Sequence, residues 1–125
     1  MTSMNIPYLN LQAITARHGN EIQTALTKVV DSGWYLQGKC LQTFEQHFST
    51  YIGTRYCVGV ANGLDAITLT LRAYIELGML NEGDEVIVPA NTFIATVLAI
   101  TENRLKPIFI DIKEKTLDID IEALE

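Results

Sequence analysis

Apolar positions first follow helical spacing and later gather into short continuous runs between helical stretches. Over residues 20–30, Ile22, Leu26, Val29 and Val30 recur on one helical face. Asp31-Ser32-Gly33 ends that pattern, and Gly33 suits the left-handed position after a helix. A second stripe, Leu41, Phe44, Phe48 and Tyr51, predicts a helix over 39–51 closed by Gly53, with the stripe facing a core. Between the two helices lies the aromatic loop "GWYLQG". Ahead of them, "NIPYLNL" carries a proline and reads as an extended arm.

From Cys57 onward the elements alternate. "CVGVA" reads as a strand, 63–77 as a helix and "NEGDE" as a turn. "VIVPA" is a short buried strand ended by Pro89. Thr92 opens a further helix, and "PIFIDI" is a third strand. Strands without polar alternation, separated by helices, predict a parallel α/β arrangement, with the three strands side by side on the simplest reading. The tail "DIEALE" starts another helix.

The composition suits an ordinary soluble globular protein: 125 residues, 48% hydrophobic and 19% charged. A net charge of −6, with nine scattered basic residues, argues against a nucleic-acid surface or a polyanion patch. No apolar run reaches the length of a membrane span and no signal peptide is visible, so a cytoplasmic location is expected. Cys40 and Cys57 form no CxxC pair and read as reduced, partly buried thiols. No metal site is expected.

The chemistry concentrates in "VGVANGLDAITLTL". Asn62 is a good helix N-cap, and Asp65, three residues on, can answer it in the manner of a capping box. Gly63 permits a sharp bend and leaves room for a ligand. The first-turn amides of Gly63, Leu64 and Asp65, with the helix dipole behind them, make an anion site that needs no basic side chain. A plain capped helix is the other reading of this stretch alone. Neither GxGxxG nor a Gly-Lys-Ser/Thr loop is present. Phe93, after the next strand, falls at the same carboxyl edge, where an aromatic can stack on a planar ring.

Taken in order, "SGWYLQG", "VGVANGLDAITLTLRA", "GDEVIVPANTFIATVLAI" and "KPIFIDI" resemble successive blocks of the DegT/StrS-type sugar aminotransferases. The resemblance implies an α/β fold, the N-terminal part of the large domain of a pyridoxal-phosphate-dependent fold type I aminotransferase. That part comprises two N-terminal helices (1–55, with the arm) and then β-α-β-α-β (56–125). It implies that the amides of Gly63, Leu64 and Asp65 bind the phosphate of pyridoxal 5'-phosphate, that Phe93 stacks on its ring, and that Tyr35 lies near the substrate where two subunits of a homodimer meet. The implied reaction moves an amino group, from glutamate, to a nucleotide-linked keto-sugar, nearest to the dTDP-3-keto-6-deoxyhexose type. Asp111 reads as a turn residue, and Asp84 and Glu85 as a solvated turn.

Three departures stand out. Leu64 replaces a frequent Thr or Ser. Arg104 replaces a glycine, so that Asn103 is expected to take the left-handed turn. The lysine that forms the Schiff base matches none of Lys28, Lys39, Lys106, Lys113 and Lys115. Hence the chain is read as the N-terminal portion of a longer enzyme, inactive alone. The resemblance also places later strands between the first strand and the second, which leaves sheet edges and apolar faces exposed. The rival class is a non-catalytic α/β module that binds an anion or a protein.

Overall fold

The computed structural model describes residues 7–124. The chain separates into two compact units, one up to Gly59 and one from Val60 onward.

The first unit is helical. Helix α1 (Leu11–Ala16) is followed by α2 (Gly19–Ser32) and α3 (Lys39–Ile52). An extended arm was expected across the start of α1. Asn5 and Ile6 lie outside the described residues, and from Leu11 the chain is helical because Asn10 caps it, its Oδ1 accepting the Ala13 amide at 2.9 Å. Helices α2 and α3 stop where the sequence predicts, with Gly33 and Gly53 at φ 63° and 80°.

Two expectations fail in this unit. The α3 stripe is not core: Phe44, Phe48 and Tyr51 are 55%, 44% and 85% exposed. The unit has no sheet to cover the stripe, so Phe44 and Phe48 stack on one another instead, with ring centroids 5.6 Å apart. Nor does "CVGVA" form a strand, since residues 57–61 pair with no ladder. The Gly59 amide donates to Glu45 Oε1 at 2.7 Å. A Cβ on Gly59 would lie 2.5 Å from Leu41 Cδ1, so this backbone packs too closely for any side chain. Of the two free thiols, Cys57 is half-buried as expected and Cys40 is exposed.

The second unit holds α4 (Gly63–Glu76), β1 (Glu85–Pro89), α5 (Ile94–Glu102), β2 (Lys106–Ile110) and a terminal 3-10 turn (Ile121–Leu124). Strands β1 and β2 pair in parallel, from Glu85 opposite Lys106 to Pro89 opposite Ile110. Val88, Ile100 and Leu105 form the buried centre, and Leu71, Ile75, Leu80 and Val86 pack against it. Ile87 and Phe109 remain 50% and 56% exposed, as an incompletely covered sheet requires.

These contacts orient the helices. Leu71 and Ile75, in the carboxyl half of α4, pack on the same buried centre as Leu80 and Val86, and the Leu80 amide just ahead of β1 donates to the Tyr74 carbonyl near the end of α4 at 3.3 Å. The end of α5 likewise sits beside Leu105 at the amino edge of β2. Both helices therefore run against the strands, and both begin at the carboxyl edge.

A buried amide locks that arrangement. The Asn103 side chain, 6% exposed, donates to the carbonyls of Thr68 at 3.1 Å and Ala99 at 2.9 Å. This explains the turn before β2. Asn103 was expected to go left-handed; it keeps φ −86° because its side chain is committed to α4, and Arg104 takes φ 57° instead. Helix α5 also begins at Ile94 rather than Thr92, since Phe93 keeps an extended backbone (φ −70°, ψ 140°).

Two outcomes follow. Asn103→Ala leaves the Thr68 and Ala99 carbonyls without this donor and lowers stability by about 2 kcal/mol, measured by denaturant unfolding. Arg104→Gly removes a left-handed non-glycine at a cost of some unfolded-state entropy, so Tm rises slightly, for a net of about 0.5 kcal/mol. The exposed Arg104–Glu82 ion pair it also removes is worth little.

Candidate anion site at the carboxyl edge

The site is built on the start of α4. Asn62 is fully extended (φ −161°, ψ 177°), and the helix turns in directly after it. Its Oδ1 accepts the Asp65 amide at 3.0 Å, and its Nδ2 donates to Asp65 Oδ2 at 3.2 Å. The Asn62 carbonyl accepts the Ala66 amide at 3.1 Å. The orientation of the Asn62 carboxamide is fixed by its two neighbours, a donor on one side and an acceptor-only carboxylate on the other. The reciprocal contact thus joins two side chains, whereas in the usual capping box the second side chain returns to the backbone amide of the cap.

Of the three amides expected to face a ligand, the Asp65 amide has an acceptor within the chain. Among the described residues, the Gly63 and Leu64 amides have none. These two N–H groups, at the positive end of a 14-residue helix, are the donors left available to an anion. Gly63 is not needed for the bend, because its φ is outside the left-handed region and the change of direction occurs at Asn62. A Cβ there would meet no atom within 4 Å, so the glycine opens space in front of the amides. That opening, with two unmatched donors behind it, suits a phosphate group.

Phe93 precedes α5 at the same carboxyl edge and is 78% exposed. A stacking aromatic has to be free in this way. Tyr35 belongs to the first unit, is 66% exposed, and its hydroxyl donates to the Val30 carbonyl at 3.4 Å. Trp34 beside it donates its indole N–H to the Leu36 carbonyl at 2.7 Å. Asp111, expected to be a turn residue, instead directly follows β2 outside any turn, and its carbonyl accepts the Asp120 amide at 3.1 Å beside an isolated antiparallel bridge between Ile112 and Ile119. Asp84 closes the turn before β1, with Oδ2 accepting the Asn81 amide at 2.7 Å. Asn103 and Gly59 escape the sequence reading. Each is recognisable only from the partner it packs against.

Among the described residues, no helix is long and apolar enough to cross a membrane.

Comparison with known proteins identifies the family of the segment that carries this geometry. A dTDP-3-amino-3,6-dideoxy-alpha-D-galactopyranose transaminase of Aneurinibacillus thermoaerophilus is 49% identical over 92% of this chain and 31% of its own length. The crystal structure of S. venezuelae DesV in complex with a ketimine intermediate superposes with a TM-score of 0.87 at 37% identity, covering 98% of this chain and 32% of that one. The E. coli GDP-4-keto-6-deoxy-D-mannose-3-dehydratase with bound hydrated PLP gives 0.77 at 34% identity, covering 82% of this chain and 27% of that one. The chain thus spans about a third or less of the length of each. The fold is that of the N-terminal part of the large domain in fold type I enzymes. Residues 16–125 match the DegT/DnrJ/EryC1/StrS aminotransferase family, and the chain belongs to it.

Proposed function

We propose that this chain forms the phosphate-holding wall of a pyridoxal-phosphate-dependent aminotransferase acting on a nucleotide-linked keto-sugar of the dTDP-6-deoxyhexose type, with glutamate as amino donor and a homodimer as the working form. The observation that carries the reading is the pair of unmatched amides, Gly63 and Leu64, behind the opening left by Gly63. The resemblance to a dTDP-sugar transaminase over nearly the whole chain supports the substrate class.

Each residue has a stated task. The Gly63 and Leu64 amides hold a dianionic phosphate without a counter-charge from any side chain. Leu64 contributes its amide only, because it has no hydroxyl to add. Phe93 offers a ring face to the flat heterocycle and keeps water from that side. Tyr35 lies on the loop expected near the sugar. When bound, pyridoxal phosphate supplies the electron sink for the transfer of the amino group. The proton-moving lysine matches no lysine of these 125 residues, so the chain binds and orients, and is inactive alone.

The test uses pyridoxamine 5'-phosphate, which lacks the aldehyde that would attach to surface lysines, against pyridoxamine. Calorimetric titration of the 125-residue chain is expected to show binding of the phosphorylated compound only. Gly63→Val fills the opening and weakens binding by about tenfold or more, equivalent to about 1.4 kcal/mol, while Tm stays within a few degrees. Phe93→Ala weakens it by roughly fivefold, the worth of one aromatic stack. Equal affinity for both compounds, or no binding by a chain that unfolds cooperatively, would falsify the reading in favour of the non-catalytic module.

A further inference from the structure

We propose that Asn62 is a positioning residue that sets both the size and the charge of the anion cradle by holding Asp65 at two points. This rests on the reading of α4's first turn as a phosphate site.

The difficulty is the Asp65 carboxylate. It is half-buried, three residues beyond the cap, and so carries a negative charge into the turn where an anion is to bind. A carboxylate at this helix position is favoured by the dipole and can itself accept the free first-turn N–H groups. Left alone, it is an internal competitor for the amides of Gly63 and Leu64.

Asn62 deals with both ends of that residue. Its Oδ1 takes the Asp65 amide at 3.0 Å, which withdraws the third amide from the cradle. Its Nδ2 holds Asp65 Oδ2 at 3.2 Å, which keeps the carboxylate on the cap. Two amides remain for the ligand. Serine or aspartate would cap the helix about as well as asparagine. Aspartate lacks a donor for the carboxylate and serine has acceptor and donor on one atom, whereas the amide carries them on two atoms and so reaches both ends of Asp65.

This separates capping from positioning. Asn62→Asp preserves the acceptor, so Tm changes by no more than a few degrees, but the donor is lost and a second carboxylate is added. Asp65→Asn removes the competing charge and keeps a partner for Asn62. The double variant exchanges the two groups and restores one acceptor, one donor and one charge.

The experiment is a titration of the 125-residue chain with inorganic phosphate, followed by amide NMR at Gly63, Leu64 and Asp65. In the wild-type chain the Gly63 and Leu64 signals shift together and the Asp65 signal stays. Asn62→Asp weakens phosphate binding by roughly tenfold, the effect of one added charge a few ångströms away in a water-facing site. Asp65→Asn strengthens it several-fold, and the double variant returns to within about twofold of wild type. A wild-type Asp65 amide that shifts with the others, or an Asn62→Asp chain of unchanged affinity, overturns the positioning role while the phosphate site stands. A wild-type chain whose Gly63 and Leu64 amides do not respond overturns both the site and the inference.

Discussion

The parallel pairing of β1 with β2 is the constraint from which the site follows. Parallel neighbours cannot be joined by a tight turn, so the chain must cross back along the sheet between them, here through α5. Helix α4 packs on the same core and runs the same way, because its carboxyl end is tied to Leu80 just ahead of β1. Two helix N-termini then open at the carboxyl edge. Unmatched amides, the positive ends of two dipoles and the residue that precedes α5 all collect there as a consequence of topology. The Asn103 amide holds this in place from the opposite end, bridging the last turn of α5 to the Thr68 carbonyl of α4. A buried carboxamide with both hydrogens engaged is costly to move, so the helices keep their relative slide.

Much of this was legible because the deciding physics was local. The stops at Gly33 and Gly53 need left-handed backbone just past a helix, and glycine provides it at least cost. The Asn62 cap and the strand "VIVP" are likewise decided within a few residues. What was not legible depended on partners distant in sequence. "CVGVA" has the composition of a strand, but a strand requires a neighbour, and Gly59 finds Glu45 and Leu41 of α3 instead. The α3 stripe has helical period, and period says which face is apolar without saying what covers it. Asn103 looked free to adopt a left-handed turn until its side chain was found committed to Thr68, which passes the strain to Arg104. At the site, three outward amides were expected from position alone. The number became two once the Asn62 side chain had chosen its acceptor role.

On the proposed reading the site holds its anion by backbone rather than by charge, which suits a chain of net charge −6. A lysine or arginine would attract phosphate from further away, but it would also take up any acidic neighbour, and Asp65 is at hand. Backbone N–H groups cannot move to satisfy Asp65, and Asp65 cannot easily move to satisfy them while Asn62 holds it. The selectivity is geometric: a group must be small enough to approach over a residue without Cβ and must offer several acceptor oxygens. A terminal phosphate meets both conditions better than a side-chain carboxylate.

Such a wall says little about which reaction is run in front of it. The same segment is 49% identical to a transaminase and 34% identical to a dehydratase. The tasks proposed for it, holding a phosphate and covering a ring face, move no proton. Amides locked into a helix start cannot take part in proton transfer, and neither can a phenyl ring. The residues of this turn are therefore free to stay fixed while the outcome changes elsewhere. What can differ here, on the proposed positioning role of Asn62, is how tightly a phosphate is held, through two side chains outside the pair of free amides: an amide at the cap, and the carboxylate it restrains.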